Sequence, residues 1–408
     1  MGYRHWITSA AVGGLLLVHP ALADQEDSDV GHALAGGSVS LNLRYRLEQV
    51  DQASFDKDAL ASTLRTRLTY QSQDFSDFSV GLEFDNILRL GSKTYNSTRN
   101  GVTDRPVVAD PEGTEVNRAY IEFKGLPDSS LAYGRHRINR DNQRFVGGVG
   151  WRQNEQTFDG LLVSNSGLDD IQLDYAYIYN VNRVFGPDDG FLPANQGGDY
   201  HLFNGRFTAL SPGILSAYAY FMDFDDAPAL SNKTVGARFT GDTALSDTTK
   251  LMYAGEFASQ SDHGNNPTGY SANYYLLEGG FGIDRFTAKL SVEVLEGDAE
   301  SPDKSFITPL ATLHPFQGWA DQFLLTPDEG IEDIYLTLGA RFWEGQLLVV
   351  FHEFNAESGS MEWGTELDVI FNRKFGKRHT GTLKFASYDA KEFSVDTDKV
   401  WLMWSAAF

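Results

Sequence analysis

The sequence predicts an all-β protein, a transmembrane antiparallel β-barrel of about eighteen strands. Three observations carry this. Segments of alternating apolar and polar residues follow one another from residue 38 onward, the connections between them alternate short and long, and the last segment, KVWLMWSAAF, carries the alternation to Phe408. Successive strand side chains point to opposite faces, so Val400, Leu402, Trp404, Ala406 and Phe408 share one face and Lys399, Trp401, Met403, Ser405 and Ala407 the other. Terminal residues of soluble domains usually fray. An aromatic carboxyl-terminal residue inside a ladder instead makes the terminus part of a sheet.

The opening stretch MGYRHWITSAAVGGLLLVHPALADQED has a basic start at Arg4 and His5, an apolar run from Ile7 to Val18, and Ala21-Leu22-Ala23 before Asp24. That is the form of a secretory signal peptide over residues 1–23, too short and too early for a membrane-spanning helix. Residues 24–37 are then a short periplasmic segment and residues 38–408 the barrel. Cysteine is absent, so neither disulfides nor thiolate metal sites hold the fold. A formal net charge of −23 argues against a nucleic-acid partner. The 40 glycines and 13% aromatic residues suit a protein of many strands and turns.

The strands read in order. SVSLNLRYRLEQV sets Val39, Leu41, Leu43, Tyr45 and Leu47 against Ser40, Asn42, Arg44, Arg46 and Glu48. LASTLRTRLTYQ sets Leu64, Leu68 and Tyr70 against Thr63, Arg65, Arg67 and Thr69, and FSVGLEFDN sets Phe78, Val80, Leu82 and Phe84 against Glu83 and Asp85. The same rule continues through NRAYIEF, QTFDGLLV, IQLDYAYIYN and their successors. LAYGRHRI is ambiguous, because Arg135 and Arg137 share a face with Tyr133.

Connections such as SQDFSD, GLPDSS, NSGLDD and GIDR are short; those over 91–113, 139–155, 183–198 and 297–330 are long. Outer-membrane barrels have short periplasmic turns and longer outer loops, so both termini are expected on the periplasmic side. Alternation alone also suits a β-sandwich. The aromatic carboxyl-terminal ladder, the signal peptide and aromatic residues recurring near strand ends favour the barrel.

The stretches LAYGRHRINRDNQRFVGGVGWRQNEQTFDG (131–160), STLRTRLTY (62–70) and SFITPLATLHPFQGWADQFLLTPDEGIEDIYL (305–336) resemble the alginate-export-type porins of proteobacterial outer membranes. The resemblance implies an eighteen-stranded barrel with an arginine-rich lumen able to conduct an anionic polysaccharide. It also implies that Arg65, Arg67 and Arg135 line the lumen with Asp159 as an acidic partner, and that Trp404 and Phe408 belong to the carboxyl-terminal signal read by the barrel assembly machinery. Lipids and lipopolysaccharide of the outer membrane are the surrounding partners.

From the residues, Arg44, Arg46, Arg65 and Arg67 fall on adjacent strands and form a basic patch, with Glu83 and Asp85 on the next strand. Arg238, Lys289, Glu293 and Arg341 are further inward candidates for solute contact. Guanidinium forks grip carboxylates bidentately, which suits uronates and other organic acids. Inward acids roughly match inward bases, whereas a polyanion tunnel calls for basic excess. In the long loop 297–330, His314, Trp319 and Asp321 are candidates for solute contact, and the loop can either constrict the lumen or cap it.

No serine sits in a nucleophile elbow near a histidine, so no chemical step, cofactor or metal is expected. GGVG (147–150) lacks the following Lys-Ser/Thr of a phosphate loop and reads as flexible backbone. Nothing the size of a plug domain precedes the first strand. The expected function is a channel for small anionic or saccharide solutes; the alternative is an exopolysaccharide export component working with periplasmic partners.

Overall fold

The computed structural model describes residues 29–408, so the expected signal peptide lies outside the described residues. A short helix, α1 (Asp29–Ala35), precedes eighteen strands. These are β1 (Ser38–Gln52), β2 (Ala59–Gln71), β3 (Phe78–Arg89), β4 (Gly113–Leu126), β5 (Ser129–His136) and β6 (Thr157–Leu168). Then come β7 (Ile171–Asn182), β8 (Asn195–Phe207), β9 (Gly213–Phe224), β10 (Asn232–Ala244), β11 (Thr249–Asp262) and β12 (Ser271–Ile283). The last are β13 (Phe286–Leu295), β14 (Ile331–Phe342), β15 (Gly345–Asn355), β16 (Glu362–Phe375), β17 (His379–Ala390) and β18 (Thr397–Ala407).

Every strand pairs antiparallel with its neighbours in sequence, and β1 also pairs with β18, closing the sheet. In hydrocarbon an unpaired N–H or C=O costs several kcal/mol, and closure leaves no edge to expose one. The β1–β18 register sets Tyr45 opposite Trp404 and Leu47 opposite Leu402 on the outer face, with Glu48 opposite Trp401 on the inner face. Leu402 and Trp404 are exposed while Trp401 is fully buried. A slip of one residue would send the basic side chains of β1 into lipid, where each costs roughly 2–4 kcal/mol at the midplane. Phe408 extends the ladder: its N–H donates to the Leu41 carbonyl at 2.9 Å and its carbonyl accepts from the Leu41 N–H at 3.1 Å.

The alternating connections appear as expected, with short turns such as Trp343–Glu344 on one rim and the long loops on the other. α1, too short to show a helical period in sequence, sits beside the turn after β2. Tyr70 donates to the Leu34 carbonyl at 2.6 Å and the Gln73 N–H to the Ala33 carbonyl at 3.1 Å.

Two long loops do not stay at the rim. The β5–β6 loop (137–156) and the β13–β14 loop (296–330) both fold into the barrel, which resolves loop 297–330 as a constriction rather than a cap. They meet each other: Val146 bridges Leu310, the Gly147 N–H donates to the Leu310 carbonyl at 2.9 Å, and the Thr312 N–H donates to the Gln143 carbonyl at 3.0 Å. GGVG (147–150) is therefore part of a loop-to-loop contact. Apolar loop side chains pack on inward aromatics of the wall, so Phe145, Phe306 and Phe323 join Tyr218, Tyr274, Phe354 and Tyr388 in a core inside the lumen. Gly330, with φ +71°, lets the two ends of the 296–330 loop pinch together, since a Cβ at Gly297 would strike the backbone of Asp328–Gly330.

Candidate solute-binding lumen

Arg44 and Arg65 are direct register partners on β1 and β2, with Arg46 and Arg67 two residues along on each strand. Like charges so placed repel unless other groups share the field. The β5–β6 loop supplies many of those groups, and Asp110 of the β3–β4 loop, Asp85 of β3 and Asn42 of β1 supply others. Arg44 donates to the Gln153 side-chain carbonyl at 2.9 Å, the Gly150 carbonyl at 2.9 Å and the Arg152 carbonyl. Arg46 donates to the Trp151 carbonyl at 2.7 Å and pairs with Asp110 at 3.0 Å. Arg67 grips Asp85 bidentately, at 2.7 and 2.5 Å, and also holds Glu155. Arg65 donates to Asn42 at 2.9 Å and lies 3.9 Å from Glu155. Glu83 accepts from Asn117 at 2.6 Å and from Arg137 at 2.7 Å. Burial alone would raise the Glu155 pKa, but the guanidiniums of Arg67 and Arg137 hold it down at about 2. The basic patch and its two acids are thus the seat on which the loop is docked.

Arg144, at the turn of the same loop, is fully buried. It donates to Glu293 at 2.6 Å, to the Gln317 side-chain carbonyl at 3.0 Å and to Thr308 at 3.2 Å, joining both loops to β13. Glu293 also accepts from the Tyr274 hydroxyl at 2.9 Å.

The tip of the β13–β14 loop is held by acids of β16. The Trp319 N–H donates to Asp368 at 3.1 Å and the Ala320 N–H to Glu366 at 2.7 Å. Gly318, at φ +81°, permits the turn; any Cβ there would strike the Glu366 carboxylate. Lys384 of β17 projects among three indoles, 3.8 Å from the Trp319 centroid, 4.2 Å from Trp151 and 5.2 Å from Trp401, a cation–π cage built from both loops and the wall. Its Nζ is 2.5 Å from His314 Nε2, while His314 Nδ1 is 2.7 Å from Asp321. Burial, aided by the Lys384 ammonium, pushes the His314 pKa well below the ordinary histidine range against the pull of Asp321. The imidazole is therefore neutral, donating to Asp321 and accepting from Lys384. Asp321 stays ionised despite burial because His314, Lys399 at 2.7 Å and Arg152 at 3.1 Å surround it.

This loop tip divides the lumen. On the short-turn side lies a cavity of about 750 Å³ reached by Arg285, Lys289, Arg341, Tyr335 and His352, with Phe316 and Trp319 as its ceiling. On the long-loop side lies one of about 500 Å³ bounded below by His314, Ala320 and Asp321. A third space of about 530 Å³ carries Arg140, Arg206, Arg238 and Asp174.

A profile of alginate-export proteins matches residues 37–279. The chain belongs to the alginate-export family. No curated protein matches it significantly in sequence. Among solved structures it resembles Pseudomonas aeruginosa OpdK, solved with vanillate, at 14% identity and TM-score 0.71 over 92% of this chain and 99% of that one. It also resembles P. aeruginosa OccK3 (OpdO), at 13% identity and TM-score 0.69 over 93% and 97%, and Acinetobacter baumannii OccAB4, at 13% and 0.70 over 91% and 98%. At such identities the likeness shows the shared barrel fold. This alginate-export-family member is a bacterial outer-membrane β-barrel.

Within this family member the remaining sequence candidates are dispersed. Arg135 grips Asp159 bidentately at 2.7 and 3.1 Å, away from the partition. Arg238 pairs with Glu256 at 2.6 Å and Lys289 with Glu278 at 2.8 Å. Arg341 is exposed toward the large inner cavity and has no carboxylate partner among the described residues. His314, Trp319 and Asp321 all sit at the partition. Sequence reasoning did not single out Arg144, Trp151, Arg152 or Glu155, which lie in a loop and follow no strand period. The available signal was density of charge: Arg137, Arg140, Arg144 and Arg152 in one connection exceed what a solvated loop requires.

Proposed function

We propose that this protein is an outer-membrane channel that passes small hydrophilic anions, such as uronates, oligouronates or organic acids, down their gradient. The observation that carries the reading is the partition. Two infolded loops leave spaces of about 500 to 750 Å³, the scale of single small solutes. Cations without a carboxylate partner, Arg206 and Arg341, face the two inner spaces and offer bidentate sites to a passing carboxylate. Selectivity then comes from pore width and the placement of charge, with no bond made or broken. The carboxylate ligand named with OpdK is consistent with this reading. Family membership alone favours a second one, export of alginate or another exopolysaccharide with periplasmic partners. A polymer would have to displace the partition along its whole transit.

The test is single-channel recording of the mature barrel in planar bilayers. Stepwise openings blocked by monomeric uronates and organic acids but not by neutral sugars, with block weakened by Arg341→Gln, support the channel reading. A barrel closed until a periplasmic partner is added supports the export reading.

A further inference from the structure

We infer that the outer cavity is a binding site for amphipathic carboxylates, acids whose apolar body is about the size of a six-membered ring. This rests on the channel reading and, at this cavity, selects the organic acids of its solute class over the uronates. The cavity walls are unlike the rest of the lumen. Val50, Phe55, Val107, Phe185, Leu313 and Leu324 line it, drawn from β1, the short β1–β2 connection and three long loops, so the apolar lining is assembled only when the loops are in place. A sugar acid seated here would turn some of its hydroxyls onto the apolar walls, and each one buried there without a partner costs roughly an order of magnitude or more in affinity. A hydrocarbon ring gains instead, because each apolar contact removes surface from water.

The charged groups of the cavity fix the sign of the ligand. Arg152 and Lys399 share Asp321, and Arg152 is further balanced by Glu48. Arg183, the residue after β7, has no carboxylate within ion-pair distance among the described residues. It makes only a long contact to the Pro193 carbonyl, 3.4 Å, and lies 4.5 Å from the Phe185 ring centroid. Burial lowers its pKa, with no anion to offset that cost. A ligand carboxylate would supply the missing counter-charge through the guanidinium fork while the body of the ligand rests on Phe185 and Leu313. The apolar walls and the uncompensated cation are independent features, and together they describe one ligand class.

The experiment uses saturation-transfer NMR on the detergent-purified full barrel with three probes: cyclohexanecarboxylate, its uncharged counterpart cyclohexanemethanol, and galacturonate. Cyclohexanecarboxylate should bind about tenfold more tightly than the alcohol, the size of one charge-assisted pair, and about tenfold more tightly than galacturonate, whose hydroxyls meet the apolar walls. Arg183→Gln should reduce it to the level of the alcohol, and Val107→Asn should weaken both ring probes while leaving galacturonate unchanged. Heat-modifiable migration verifies that each variant is folded. Equal binding of galacturonate and cyclohexanecarboxylate, or an unchanged preference in Arg183→Gln, overturns the inference. Because binding is read without current, a barrel that binds the ring acid but never conducts refutes the channel and leaves this site standing. One that conducts with no such preference does the reverse.

Discussion

Replacing Arg144 with methionine removes a side chain that ties both infolded loops to β13 of the wall. Methionine can keep part of the apolar contact with Phe316 and Tyr274, over whose rings the guanidinium now lies at 4.8 and 5.6 Å. It cannot answer Glu293, which is left buried with the Tyr274 hydroxyl as its remaining hydrogen-bond donor. Removing one partner of a buried pair costs roughly 3–5 kcal/mol. The barrel ladder does not depend on this pair, so the cost falls on the docked state of the loops, shifting docking by about two to four orders of magnitude. Single-channel current in potassium chloride should become larger and noisier, and trypsin should gain access to Arg137 and Arg140. Adding Glu293→Leu should restore much of the quiet current, because an apolar pair can replace a buried ionic one. A single mutant with the current, noise and protease resistance of the parent would refute the view that this tether holds the partition.

Other outcomes follow from the same geometry. Glu155 has its pKa depressed from 4.5 to about 2 by Arg67 and Arg137, so its contribution to loop docking is complete above about pH 4.5 and is lost as pH falls through about 2. Current noise should therefore stay flat down to about pH 4 and rise below it, and Glu155→Gln should be noisy throughout. Asp321→Asn leaves Lys399 and Arg152 short of counter-charge above the partition, so the anion-to-cation permeability ratio should increase, by about twofold or more, in reversal-potential measurements. Phe408→Ala should reduce the heat-modifiable, membrane-inserted barrel, since its aromatic ring ends the ladder beside β1; normal yield of inserted protein would count against that role.

What could be read beforehand divides along physical lines. Strand number and the faces of Arg44, Arg67, Leu402 and Trp404 were legible because the pleat enforces a period of two and lipid makes a register error costly. The infolding of 137–156 was not, because loops obey no period and their position depends on contacts remote in sequence. Arg144 to Glu293 and Trp151 to Lys384 are such contacts. His314, Trp319 and Asp321 stood out by aromatic and charged composition in an overlong loop. Their shared use, one face toward each cavity, emerges only when β16 and β17 supply Glu366, Asp368 and Lys384 from below.

The pairing of β1 with β18 has a consequence for how the molecule comes into being. The other strand pairings join neighbours in sequence, so most of the sheet can zip as local hairpins. The clasp from Asn42–Ala407 to Gln52–Thr397 joins the two extremes of the ladder. The entropic cost of bringing such distant ends together grows only logarithmically with chain length. Until it closes, however, both ends present a full row of unpaired backbone groups able to recruit another chain. The ring is therefore safest if it is finished last and quickly, with its final strand held by a helper rather than left to search.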